Sequence, residues 1–144
     1  MTASSFDQQA WLKRIGYGGL LEPTLSTLHQ LIFAHSQAIA YEPLDIMLGR
    51  TPKLDVGTLQ RKMIFGGRGG YCLEQNMLFR AGLRSLGYQI TSLQGRVVRG
   101  MAIDAPRPAI HMLLQVELPE GVLFGGRGLR QPRSHISTFA AARH

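Results

Sequence analysis

One cysteine, Cys72, serves the whole of this 144-residue chain. That excludes an internal disulfide, and nothing in the cysteine usage calls for an oxidising compartment. The opening MTASSFDQQ lacks the apolar run of a signal peptide, and no stretch has enough consecutive apolar residues to span a membrane. The expectation is a cytoplasmic protein without a membrane partner. A lone Cys and five scattered His residues offer no spacing suited to a metal. Gly66-Gly67-Arg68-Gly69 lacks the GK[ST] ending of a phosphate loop. Acids are also scarce, nine against sixteen Lys and Arg, for a net charge of +7. The scarcity is local: no acid follows Glu120, whereas Arg127, Arg130, Arg133 and Arg143 do. Upstream the chain is only mildly basic and has no Lys/Arg stripe interleaved with aromatics, which argues against nucleic acid as a partner.

The length fits one domain with a real core, and no segment repeats. Residues 6–15 carry Trp11, Leu12 and Ile15 at helical spacing, with Gly16 as a stop. Residues 23–38 open on Pro23 and Thr24 and align Leu25, Leu28, Leu31 and Ile32 on one face. The stretch 41–50, broken by Pro43, reads as an extended loop, and 57–64 as a short helix. A longer helix is expected from Cys72 to Leu86, ended by Gly87. Tyr88–Val98 and Ile110–Leu118 then alternate or run apolar like strands. A turn at Pro119-Glu120-Gly121 would return the chain as a hairpin partner. Helices first and antiparallel strands second make the fold class α+β.

The cysteine sits in RGGYCLEQN, residues 68–76. Glycines 66, 67, 69 and 70 allow a sharp bend and close backbone approach. Leu73, Met77, Leu78 and Leu83 give the following helix an apolar face, so Cys72 falls in its first turn. Unpaired N–H groups and the helix dipole there favour a thiolate, the nucleophilic form. The plainer reading is a buried cysteine serving as a small hydrophobe. Arg68 would add positive potential or act as a structural clamp. Phe65 and Tyr71 would line an aromatic pocket or pack in the core. A nucleophile needs a base. His29 and His35 read as surface or boundary residues of the second helix, and His135 and His144 lie in the arginine-rich tail. His111, at the head of IHMLLQVEL, either faces a pocket or is a satisfied core histidine.

RGGYCLEQN resembles the active-site signature RGGYCxExN of the arylamine N-acetyltransferases, matching at Arg68, Gly69, Gly70, Tyr71, Cys72, Glu74 and Asn76. WLKRIGY (11–17) resembles that family's opening helix and AYEPLDIMLGR (40–50) its PFENLD segment, with Tyr41 and Pro43 as departures. GRVV (95–98) and PRPAIHMLLQVEL (106–118) resemble two of its strands, the second bearing the catalytic histidine. The resemblance covers about residues 8–120. It implies a helical region (1–87) carrying the nucleophile Cys72, then a partial antiparallel β-barrel (88–120) carrying His111, with 121–144 as a basic tail outside the family pattern. It further implies ping-pong transfer of acetyl from acetyl-CoA, through an acetyl-cysteine, to an arylamine or hydrazine. Phe65, Arg68, Gly69 and Tyr71 would lie on the substrate side, and no metal is implied.

The family's third catalytic residue, an Asp in a segment like ADVGFGN, has no counterpart in GVLFGGRGLRQPRSH. Asp104 precedes His111 in a Pro-rich loop, and Glu117 lies six residues along its strand, too far to orient the ring. A comparable loss in a serine triad costs about 10⁴ in rate. The permitted codons TTC GGC GGA CGT GGG CTT CGG CAA CCT for Phe124–Pro132, read one nucleotide later, give Ser-Ala-Asp-Val-Gly-Phe-Gly-Asn. The tail from about Gly121 therefore reads as a frameshifted translation, in an impaired chain without the family's C-terminal lid. The barrel edge after Ile110–Leu118 would then be exposed and apolar, a route to self-association. Two other readings stand beside this one. One is a related Cys-dependent amide-forming acyltransferase, as in macrolactam biosynthesis. The other is a non-catalytic protein whose basic tail binds polyanions.

Overall fold

A computed structural model describes residues 5–95 and 111–125. Helix α1, Gln8–Ile15, starts at Asp7, whose carboxylate accepts the Ala10 N–H at 2.9 Å. It ends at Gly16, whose φ of 68° lets Tyr17 N–H reach back to the Leu12 carbonyl. Helix α2, Leu25–Ala38, is capped by Thr24. Both match the sequence expectation within two residues.

The stretch 41–50 departs from the expected extended loop by containing α3, Leu44–Met47. Pro43 stands before the first turn, where its missing N–H costs nothing and its carbonyl accepts the Met47 N–H at 3.1 Å. Helix α4, Val56–Leu59, capped by Asp55, continues without a break into a π-helical turn, Gln60–Phe65. Helix α5, Cys72–Ser85, carries the cysteine at its first position.

The core is laid down by Trp11, Leu28, Leu31, Ile39, Leu59, Met63, Leu78 and Leu83, all at 1% exposure or less. Trp11 lies flat on Gly82 of α5, where a Cβ would come within 2.7 Å of the ring. That contact brings α1 and α5 together.

Strands β1 (Gln89–Gly95), β2 (His111–Leu118) and β3 (Gly121–Gly125) form one antiparallel sheet in the order β1-β2-β3. Gly95 pairs with His111 and Leu114 with Gly125. Met112, Leu114 and Val116 turn one face of β2 into the core. The expected hairpin at Pro119–Gly121 is present, so the sheet runs on past residue 120. The expected apolar edge at β2 is corrected: β2 is the central strand, and the open edges of the described sheet belong to β1 and β3. These three strands make an open sheet rather than a closed barrel. Among the described residues, no helix is long and apolar enough to cross a membrane. Asp104 and the tail from Gly126 onward, including the frameshift reading, lie outside the described residues.

Candidate active site

The approach to Cys72 is irregular backbone, and every polar group on it needs a partner from elsewhere. Gly70 forms a parallel bridge with Tyr41: Gly70 N–H donates to the Ala40 carbonyl at 3.2 Å, and Glu42 N–H donates to the Gly70 carbonyl at 3.0 Å. The two segments run so close that a Cβ on Gly69 would collide with the Ala40 carbonyl. Gln75, buried at 1% exposure, donates from Nε2 to the carbonyls of Ala40 (2.7 Å), Gly70 (3.2 Å) and Ile39 (3.3 Å). Its Oε1 lies 3.1 Å from His35 Nε2, and His35 Nδ1 lies 3.2 Å from Trp11 Nε1. The indole can only donate, so His35 Nδ1 accepts and Nε2 carries the proton toward Gln75. The expectation that His35 is a surface or boundary residue is therefore corrected: it is 4% exposed and ties the Trp11 core to the cysteine loop. Leu28, Leu31 and His35 share one stripe of α2, and that spacing was the available signal.

A second layer is ionic. Arg68 donates through Nε (3.1 Å) and Nη2 to Glu42 Oε1, and through Nη2 to Asp45 Oδ1 at 3.3 Å. Glu42 Oε2 takes the Gly69 N–H at 3.0 Å, so that donor is already committed. Arg68 thus resolves as a clamp. Lys62 Nζ reaches Asp45 Oδ2 at 2.6 Å and both Glu74 oxygens at 2.9 and 3.0 Å. Glu74 Oε2 in turn accepts the Tyr71 N–H at 3.1 Å, directly ahead of α5. The Arg68 hydrogen bond, with the Gly69 N–H, holds Glu42 below its ordinary range, and Lys62 does the same for Asp45. Burial works against the charge on Lys62, but the bonds to Asp45 and Glu74 outweigh it and raise its pKa. Sequence pattern does not mark Glu42, Asp45, Lys62 and Gln75, because their roles depend on segments 12 to 36 positions apart meeting.

Cys72 itself is half-buried. Burial pushes its thiol up, while the N–H groups of Leu73 and Cys72 pull it down by less. The expected depression by the helix start is thus corrected in net direction: desolvation wins. Tyr71, half-buried, has its phenol raised by burial and by the neighbouring Cys72 and Glu74. Phe65 is 64% exposed, which removes the core-packing reading for it.

Asn76, one turn after Cys72, donates to the Met112 carbonyl at 2.8 Å and so ties the cysteine helix to the residue beside His111. His111 is buried, and burial lowers its pKa. Glu117 shares its face by strand alternation, but the intervening six residues span about 20 Å, and its Oε1 lies 3.4 Å from Gln115 Nε2.

A family model described as N-acetyltransferase matches residues 24–137. The chain is 38% identical to the arylamine N-acetyltransferase / N-hydroxyarylamine O-acetyltransferase of Salmonella typhimurium, over 85% of this chain and 45% of that protein. It is 39% identical to the arylamine N-acetyltransferase of Mycolicibacterium smegmatis, over 89% and 50%. Its structure resembles the M. tuberculosis arylamine N-acetyltransferase with a TM-score of 0.78 at 39% identity, covering 85% of this chain and 47% of that one. It also resembles the Mycobacterium marinum enzyme in complex with CoA, with a TM-score of 0.75 at 40% identity, covering 83% and 45%. The chain belongs to the arylamine N-acetyltransferase family, a family of acyltransferases. It spans about half the length of the curated relatives it matches.

Proposed function

We propose that this chain carries the Cys–His part of an arylamine N-acetyltransferase site, and that Cys72 accepts acetyl from acetyl-CoA and passes it to an arylamine or hydrazine. Burial pushes the Cys72 thiol up and the His111 imidazole down, so the proposed reaction starts from the neutral pair. In the proposed first step His111 takes the Cys72 proton as sulfur attacks the thioester carbonyl. The carbon–sulfur bond to CoA breaks, and the CoA thiolate leaves with that proton. In the second step the amine nitrogen attacks the acetyl-cysteine carbonyl. Its proton passes through His111 to the departing Cys72 sulfur, leaving the acetamide or acetylhydrazide and the starting enzyme.

The observation that carries this reading is the position of Cys72. It heads α5, and its own N–H and that of Leu73 bear on the sulfur. Phe65 and Tyr71 are proposed to flank the aromatic acceptor. The proposal includes impaired turnover, since GVLFGGRGLRQPRSH, in the place of the family's Asp segment, holds no carboxylate to orient the ring. It also places the chain in the cytoplasm, with any self-association running through the β1 or β3 edge.

The test is intact-mass analysis of the chain after exposure to acetyl-CoA, with the Salmonella relative as a positive control. One acetyl group on the parent chain and none on Cys72→Ser is expected, because an unactivated hydroxyl is a far weaker nucleophile. A parent chain that stays unmodified while the relative is acetylated would overturn the proposal.

A further inference from the structure

Lys62 lies outside the RGGYCLEQN signature, yet its ammonium is the hub of the charges beneath the cysteine loop. Its side chain is 10% exposed, against 3% for Glu74 and 15% for Asp45. The π-helical turn Gln60–Phe65 places it there: the wider turn lets Gly66 N–H reach the Arg61 carbonyl and Arg68 N–H the Lys62 carbonyl, folding the chain back over α5. Glu74 is the third residue of α5. A carboxylate there has a choice of donors, either the N–H ahead of the helix or the free N–H groups of its first turn. In this structure Glu74 Oε2 takes the Tyr71 N–H, with Lys62 against both of its oxygens. The N–H groups of Cys72 and Leu73 are left to the sulfur, and they pull the thiol down.

We propose that Lys62 is a positioning residue for Cys72: it holds Glu74 on the Tyr71 N–H and balances its charge, leaving the first-turn N–H groups of α5 to the thiol. Without Lys62, a carboxylate at 2% exposure stands unbalanced at the helix start. It also becomes free to compete for the Cys72 and Leu73 N–H groups. Both effects disfavour the thiolate. The charged and titratable groups around this point are Asp45 of α3, Arg50, Glu42, Arg68 and Tyr71 of the loops, and Tyr41. Asp45 stays paired with Arg68 and lies near Arg50 when Lys62 is removed, so the imbalance falls on Glu74.

The inference rests on Cys72 being the nucleophile, but its test does not require acetyl transfer, so the two can fail separately. Cys72 is the sole thiol, and its alkylation by iodoacetamide can be followed against pH in the 144-residue chain. Lys62→Met should slow alkylation at pH 7 about three- to tenfold, with the pH profile displaced upward. Lys62→Arg should stay within about twofold of the parent. Lys62→Met combined with Glu74→Gln should recover the parent profile, because the unbalanced charge is gone. Glu74→Gln alone, which keeps an oxygen for the Tyr71 N–H, should alkylate faster than the parent, and this variant decides the matter if Lys62→Met does not fold. An unmoved profile in folded Lys62→Met overturns the proposal. So does a double variant as slow as Lys62→Met, or Glu74→Gln no faster than the parent.

Discussion

Cys72 and His111 each head their element, α5 and β2, yet the two are held in place by different means. Around the cysteine, Glu42, Asp45, Lys62, Arg68, Glu74 and Gln75 are all spent on backbone and on one another. Around the histidine, β2 is laddered to β1 from His111 onward, a single side chain, Asn76 of α5, adds a bond at the Met112 carbonyl, and burial alone moves the imidazole's pKa. The difference follows from backbone regularity. A strand finds its hydrogen-bond partners in its neighbours, whereas a glycine turn has none of its own and needs side chains to supply them. The side chains of the cysteine region are therefore structural before they are chemical.

The largest effect expected is on rate. His111→Gln should slow acetylation of Cys72 by about 10²- to 10⁴-fold if it acts as the base. A time course of acetyl-enzyme formation checks this, and a rate within threefold of the parent would remove His111 from the chemistry. The next contrast places one substitution in both regions. Gln75→Leu strips a donor from three carbonyls and an acceptor from His35, and should cost about 2–4 kcal/mol in urea unfolding. Gln115→Leu, half-buried on β2 with a single 3.4 Å bond to Glu117, should change stability by less than about 0.5 kcal/mol. Equal costs would mean the cysteine loop is no more dependent on its side chains than the strand is.

Gly69→Ala should cost about 1–3 kcal/mol, since the added Cβ meets a backbone carbonyl that cannot step aside. Thermal unfolding would show it as a lower midpoint; an unchanged midpoint would mean the Tyr41–Gly70 bridge is loose. The smallest effect is in pH. His111 has a folded pKa below its ordinary 6.5, so the unfolded chain binds the proton more readily. Its contribution to stability is present above pH 6.5 and lost as pH falls toward the lowered folded value. Glu42 and Asp45 are held below their ordinary 4.5 and 3.8, so theirs is present above those values and lost only as pH falls through the lowered ones. Acid unfolding should thus weaken the histidine side first. His111→Gln should flatten the upper limb of the stability–pH curve and leave the lower limb in place.

Local pattern settled much of this protein. Apolar spacing and caps place α1, α2 and α5; the Pro119–Gly121 turn places the β2–β3 hairpin; and RGGYCLEQN marks both the family and Cys72. These signals act within a few residues, which is the range over which hydrogen-bond caps, helix faces and tight turns operate. Tertiary structure decided what depends on distant segments meeting: the burial of His35, the Gln75 bridge to residues 39, 40 and 70, the Lys62–Glu74 contact, and the central place of β2. It also reversed the direction of the Cys72 shift. The helix start that favours a thiolate can be read from four glycines and an apolar stripe, but the desolvation that opposes it exists only once α5 is packed into the fold.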